Sequence, residues 1–575
     1  MMFLVLFVFT ITEDILFKTE QDIDFEIILK DLEYLRNNPV DVNTAGFEQF
    51  AKIPFLSSND IIKIIEYRDK RGLFESVDEL AEANLIGADL LQMIRPFLTV
   101  GEKKYMRKML NARLRARTAL PGEEQSLQYY SRTTGQLGDY SVHAVTERDP
   151  YEDDLLDHYA VGLLIDEGKR KFALGKYNLD LGAGAVLSSV GSFFRGIDFR
   201  MMLNERGLIP YTSALENGGF FGAALSDSLV LNYTIFYSNQ KLDGIIDSLG
   251  FARSLDQSGE HTDSLSLSRK DRINEEIFGY DIRYRKADVL IANRSYVCTY
   301  EPSFAASDSV IKFHGSNFFL TSMEFRHYSE SFVFFSEVSR SWKNHIGGLF
   351  GFSAVFPYID FNLAGRYFPQ GFYSPKGVEA EANHAAGTLD IMHRSSIIDA
   401  GISLTLDNRL DEDTTKHDLK LSFGKKLGNL DARVNFRRRY RAEDVDLSGS
   451  EVLLRLKVTR FLFFDLRFEE KSLYEEETER GIFFALELGL DLKRFDARAR
   501  YGIFDTDTYA ARIYAYEIDL QGVVNNRMLY GEGEYWFVYL SLRPLQKLKL
   551  SMKYSNVSRD AISNRQIGGQ IDLIL

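Results

Sequence analysis

The chain has 575 residues, of which 45% are hydrophobic, 26% charged and 13% aromatic, with 44 Phe and 30 Tyr against one Cys and a net charge of -14. One Cys excludes an intrachain disulfide framework and a cysteine-based zinc finger, and a mean hydropathy of -0.20, with the one long apolar run at the extreme N-terminus, excludes a helical membrane protein. A large soluble β-rich protein and a membrane β-barrel, whose alternating strands escape hydropathy averaging, both remain.

Residues 3–9 are all apolar and are followed by Glu13 and Asp14. Such a run is too short to span a bilayer and fits the core of an export signal, so residues 1–20 read as a signal peptide, although neither Lys nor Arg precedes the run. Residues 21–102 then carry apolar positions at helical spacing. Ile27, Ile28, Leu32 and Leu35 predict a helix over 24–37, ended by Asn38-Pro39. Asn43 or Thr44 caps a second helix to about Ile53. Ile61, Ile62, Ile65 and Tyr67 share a face of a third over 58–71, closed by Gly72. Ser76 with Glu79 has the spacing of a capping box for a short fourth helix. Leu90, Leu91 and Ile94 mark a last one before Pro96.

The stretch from Val42 to Leu98 resembles the double helix-hairpin-helix domain of bacterial competence DNA receptors of the ComEA type. The residues that carry the resemblance are Val42 to Ala45, Ile65 to Arg68 before Gly72 and Phe74, Ser76 to Leu80, and Ile86-Gly87. In that family, hairpin glycines let backbone N–H groups approach a DNA phosphate. Here the first hairpin, Ile53 to Ser57, has no glycine, and Gly87 is the one that remains in the second. Between Pro39 and Val100 ten acidic residues face six basic ones, whereas affinity for duplex DNA comes mainly from Lys and Arg. The DNA-contact candidates implied by the resemblance and by charge are Asn84, Gly87, Lys103, Lys104, Arg107 and Lys108. Docking of a periplasmic protein partner is the favoured role of the domain, and DNA contact the disfavoured one. The basic run Lys103 to Arg117 reads either as a nucleic-acid contact or as the polar phase of a first strand.

Past residue 106 the spacing becomes two. Leu419, Leu421 and Phe423 alternate with polar residues, a turn falls at 425–429, and Leu430, Ala432, Val434 and Phe436 return. Phe484 to Leu492, a turn at Lys493-Arg494, and Phe495 to Ile503 repeat the arrangement. Strands of roughly ten residues in long series indicate a transmembrane barrel rather than a sandwich, whose strands average about six. The polar phase mixes Arg and Lys with Asp and Glu, as a wide lumen crossed by charge pairs requires. Residues 103–575 are therefore expected to form an antiparallel outer-membrane barrel of about 22–26 strands. Tyr440, Phe461, Tyr501, Phe504, Tyr535 and Trp536 are candidates for interfacial aromatic girdles. The final strand alternates to Leu575, as in chains handed to the outer-membrane assembly machinery. The barrel's own charge is small, so no strong field is expected to favour either sign of solute.

Residues 175–224 break the alternation with Gly182-Ala183-Gly184, Gly191 to Gly196 and Gly218-Gly219. No Lys-Ser/Thr follows the first of these, which argues against a phosphate loop. The segment reads as an inward-folded loop that constricts the lumen, with Arg195, Arg206, Tyr211 and Glu216 as its polar contacts, or as an external loop packed on itself. Residues 239–272 read as a second long, mobile external loop. Together with the helical domain, the chain resembles a family of helix-hairpin-helix plus barrel proteins of Bacteroidetes-type bacteria. Nine His residues are scattered without metal-ligand spacing, so no metal, cofactor or enzymatic activity is expected. The sequence thus leads to an outer-membrane barrel in contact with lipid, its helical domain in the periplasm, acting in transport or assembly. A DNA-uptake component and a non-conducting scaffold are the alternatives.

Overall fold

The computed structural model describes Leu35 and residues 39–575, apart from 54–55, 57, 88–89, 92–93, 102–107, 121–125, 153–156, 189–204, 214, 229–230, 257–258, 260, 287, 306–312, 330–331, 357, 379–380, 394, 396, 411–413, 442–444, 475–476, 524 and 560–561. The signal-peptide residues and nearly all of the expected helix 24–37 lie outside the described residues.

The helical domain is held by a few side chains that bond backbone across the chain. Asn43 donates through Nδ2 to Phe74 O at 2.9 Å and accepts from the Phe74 N–H at 2.8 Å. Arg68 donates to Ala45 O at 2.6 Å. Because Asn43 is used in this way and Thr44 bonds Asp41, neither caps the second helix. It runs Phe47–Ala51 with Gly46 at its N-terminus, whose N–H is taken by Gln49. The third helix is Ser58–Arg71 as expected, with Asp60 in its first turn and Arg68, Lys70 and Arg71 in its last, complementing the helix dipole. Gly72, at φ +107°, ends it. The fourth, Glu79–Glu82, begins later than a capping box at Ser76 requires: the Glu79 carboxylate accepts from the Ser76 and Glu75 N–H groups, but no Ser76 side-chain cap forms. Val42, Phe50, Ile64, Leu80, Ile94 and Phe97 fill the core, and the pair Val40–Asp41 with Leu98–Thr99 ties the domain's ends together.

Twenty-four antiparallel strands form one closed barrel, the first, Lys108–Leu120, pairing with the last, Ile562–Ile574. The strands run from nine to sixteen residues, long enough to cross a hydrocarbon layer when tilted. Period-2 alternation sorts their side chains. In Thr478–Asp491, Ile482, Phe484, Leu486 and Leu488 are exposed on the outside, while Phe483, Ala485 and Glu487 are buried inside. The same exposed apolar face recurs in Phe495–Thr506 and Glu532–Leu545, so the outer wall is a surface suited to lipid. Among the described residues no helix is long and apolar enough to cross a membrane.

One end of the barrel carries tight turns. Leu137 and Tyr140 are joined by Gly138-Asp139, and Leu427 and Leu430 by Gly428-Asn429. Both glycines have φ near +60°, which a two-residue hairpin turn demands. The helical domain meets this end, where the ring of Phe47 lies 6.1 Å from that of Tyr328. The opposite end carries three long insertions, at 181–219, 243–272 and 507–531.

Three expectations need correction. Tyr440, Phe461 and Tyr501 are exposed as girdle residues should be, but Phe504 and Tyr535 are buried inward, because their positions fall on the other phase of the alternation. Residues 239–272 are folded rather than irregular: the strand Asn232–Leu242 continues into them, and a small hairpin, Gly244–Ile246 with Ala252–Leu255, and a short helix, Ser264–Leu267, follow. The Gly-rich segment is shorter than 175–224, since Arg170–Asp180 and Phe220–Ser228 are barrel strands.

Candidate functional site

The lumen is not uniform. Against the four strands within 273–340 lies the first insertion. At the centre is Arg294, fully buried, whose guanidinium donates to Asp281 at 3.0 Å, Glu324 at 2.6 Å and Glu337 at 2.7 Å. The other Glu337 oxygen accepts the N–H groups of Gly184 at 3.1 Å and Ala185 at 3.2 Å, so the wall grips the insertion through its backbone. This is why Gly182 is a glycine: a Cβ there would sit 2.1 Å from Arg294 Nη1, and its φ is +78°. Further along, Glu205 pairs with Arg283 and with Arg326, the latter at 3.1 Å, and Arg206 pairs with the buried Asp180 at 2.9 Å. Each buried charge has a partner of opposite sign, as burial requires.

The third insertion fills the opposite side. Its hairpin, Ile513–Glu517 with Asn525–Leu529, packs Ile513, Ile518 and Leu520 against Phe483, Tyr535 and Phe537 of the wall. Lys553 reaches Glu517 at 2.7 Å and Asp519 at 2.9 Å, Tyr535 donates to Glu517 at 2.6 Å, and Arg527 bonds Glu517, Ser555 and Gln566.

Between the two insertions, the four strands Asp399–Arg409, Thr414–Leu427, Leu430–Arg441 and Val445–Lys457 keep most of their inward side chains half-exposed. Arg433 and Arg439 retain 29% and 32% side-chain exposure, against 0% for Arg294. A cavity where this wall meets the next three strands, Leu462–Tyr474, Thr478–Asp491 and Phe495–Thr506, is lined by Arg433, Arg455 and Asp431 on one side and by Arg467, Arg500, Asp465 and Glu487 on the other. The small net charge of the barrel is unevenly spread: the inward positions of these four strands carry more Lys and Arg than Asp and Glu.

A polar cluster ties the external connections together. His261 Nδ1 lies 2.5 Å from Asp157 Oδ2 and Nε2 lies 3.2 Å from Asp243 Oδ2, while its backbone N–H donates to Glu152 at 2.9 Å. Lys270 donates to Asp157 at 2.6 Å. Burial first, then the neighbouring charge of Asp157 and a hydrogen bond with it, push Glu216 up to about 9. Burial works against the charge of Asp157 as well, but hydrogen bonds from His261 and Lys270 outweigh it and hold that carboxyl below its ordinary range. The donor atoms of Glu152, Asp157 and His261, and those of Glu216, Asp243 and His261, lie within 4.8 Å of one another, a spacing that a small divalent ion can bridge. Sequence spacing does not reveal this cluster, because its members come from three separate connections.

The lumen-loop candidates separate. Arg206 anchors the first insertion. Tyr211 is buried under Lys176, with Nζ 5.2 Å from its ring centre, and donates to Leu215 O. Glu216 belongs to the external cluster, and Arg195 lies outside the described residues. Of the DNA-contact candidates, Asn84 occupies a left-handed turn at φ 54° and Gly87 has open space around it. Lys108 begins the first strand, and Lys103, Lys104 and Arg107 lie outside the described residues. The rest of that basic run is used in the lumen: Arg113 pairs with Asp572 at 2.6 Å, Arg115 lies over Tyr130, and Arg117 faces Asp519 at 3.6 Å. It is the polar phase of a strand.

The helix-hairpin-helix motif family matches residues 36–99. No curated protein matches the chain. Among solved structures it is similar to the P pilus usher PapC translocation pore, at 8% identity over 81% of this chain and 99% of that one, with a TM-score of 0.39. It is also similar to a variant of the ferric enterobactin receptor PfeA from Pseudomonas aeruginosa, at 8% identity over 83% of each chain and a TM-score of 0.40. A third is OpdK of Pseudomonas aeruginosa with vanillate, at 10% identity over 60% of this chain and 97% of that one, with a TM-score of 0.29. The closed 24-strand architecture is fixed by this chain's own strand register.

Proposed function

We propose that the protein is a solute conduit of the outer membrane, narrowed by two inserted segments, whose helix-hairpin-helix domain docks a periplasmic protein partner. The observation that carries this reading is the half-exposed, charged arc of lumen wall beside two arcs against which folded insertions pack. A scaffold has no need of a water-accessible charged arc, whereas a selective path needs both a constriction and a lined gap. The tight turns, the C-terminal strand and the helical domain share one end, which in barrels of this kind is the periplasmic one. Lipid covers the apolar outer face, and the assembly machinery receives the closing strand. For the domain, its acidic balance and the loss of its hairpin glycines favour protein docking over DNA contact.

Conductance of the full-length protein in planar bilayers, against a variant lacking 185–217, tests the conduit. A small current that rises on deletion is expected; no current from either form would leave the scaffold. Retention of duplex DNA by the full-length protein in low salt would revive the nucleic-acid role, and recovery of the protein outside the outer-membrane fraction would end the whole reading.

A further inference from the structure

The bare arc is one-sided in charge. Across Thr414–Leu427 and Leu430–Arg441, the inward cross-strand pairs include Lys420 with Arg437 and Asp418 with Arg439. Like charges directly opposite one another on a sheet repel, so the Lys420–Arg437 pair has a cost that the fold accepts. Asp418 is shared by three cations, lying 2.5 Å from Arg437, 3.4 Å from Arg439 and 3.9 Å from Lys420. Arg433, two positions further along the same face, meets Asp431 at 3.8 Å and lines the cavity. Opposite Arg437 the next strand places Gly449, and the Arg437 guanidinium is itself buried against Asp418. The covered arc differs in kind: there Arg294 is matched by three carboxylates, and Arg283 and Arg326 by Glu205.

Low-dielectric walls focus the field of such a stripe into the gap it lines, and guanidinium groups pair with planar oxyanions through two parallel N–H bonds. We infer that the arc in which the part-exposed Arg433 and Arg439 are backed by Lys420 and the buried Arg437 is an anion-selective path that takes small solutes carrying carboxylate or phosphate groups. The protein's net charge of -14 opposes this outcome only at a distance, where salt screens it.

The inference rests on the conduit reading, and the experiment separates the two. The reversal potential of the full-length protein and of the variant lacking 185–217 is measured under a KCl gradient, then again after inorganic phosphate is added. Chloride is expected to be several-fold more permeant than potassium, and phosphate is expected to reduce the chloride current. A variant carrying K420Q, R433Q and R439Q should lose most of this preference, whereas D418N, which removes the shared carboxylate, should strengthen it; a merely structural role would not move selectivity in opposite directions. Current that prefers potassium, shows no preference, or keeps its chloride preference in the triple variant overturns the inference while leaving the conduit intact. Absence of current from every form removes the conduit and the path together.

Discussion

The covered arc within 273–340 and the bare arc within 399–457 are built from the same four-strand arrangement and the same kinds of side chain, yet they use charge differently. In the covered arc Arg283, Arg294 and Arg326 are matched by carboxylates, one of which, Glu205, comes from an inserted segment. In the second arc Arg433 and Arg439 remain partly in water while Arg437 is buried, and Lys and Arg outnumber Asp and Glu at the inward positions. Burial makes an unmatched charge expensive, so the first arrangement has to be balanced; access to water removes that constraint from the second. Charge balance in a lumen wall therefore goes with burial beneath an insertion, and imbalance with access to water.

The largest break in this contrast should come from Arg294→Met. Removing the guanidinium leaves Asp281, Glu324 and Glu337 buried together, at a cost of about 3–5 kcal/mol, and the first insertion should detach. Electrophoretic mobility after stepwise heating should show earlier unfolding, and conductance should rise. Arg439→Gln on the bare arc should cost under about 1 kcal/mol, since its pair is partly exposed; equal losses at the two positions would erase the distinction. Gly182→Ala is the next largest, at about 1–3 kcal/mol, because the added Cβ meets Arg294 where the backbone is already left-handed. It should open the pore without altering the wall's charge, which single-channel recording can establish.

A control away from both arcs is Asn43→Ala. Loss of the paired bonds to Phe74 should destabilise the helical domain by about 1–2 kcal/mol, seen as faster proteolysis of residues 39–100 with barrel heat-stability unchanged. The smallest effect concerns pH and the external cluster. With Glu216 pushed up to about 9, the folded protein keeps a proton that the unfolded chain releases above the ordinary carboxylate range. This group's contribution is therefore present at low pH and declines as pH rises toward 9. Asp157, held low, acts in the opposite sense, its contribution being lost as pH falls through its lowered range. Glu216→Gln should flatten the decline between pH 5 and 9, measured by thermal unfolding across that range.

Much of the fold was legible because a barrel strand records its own geometry. Lys493-Arg494 was readable as a turn, and it joins Thr478–Asp491 to Phe495–Thr506. Phe504 and Tyr535 lie near strand ends, where girdle residues are expected, but the alternation sends both inward. For Arg113 and Arg117 of the basic run, the partners Asp572 and Asp519 are distant in sequence, so their place in the lumen could not be read locally. The His261 cluster and the Arg294 network were invisible for the same reason: their members are brought together by closure and by inward folding, and no local spacing encodes either.

What the sequence by itself determined is the local grammar: a helical domain with altered hairpins, then strands whose phase separates a lipid face from a polar one, in a number close to the one observed. That follows from periods of 3.6 and 2, which each residue and its near neighbours carry. Only the tertiary structure decided which polar faces are sealed and which stay open, because that depends on where two long insertions fold once the barrel has closed. The overall charge could not reveal it. A net value sums buried pairs and partly exposed cations alike, and does not show on which arc each of them lies.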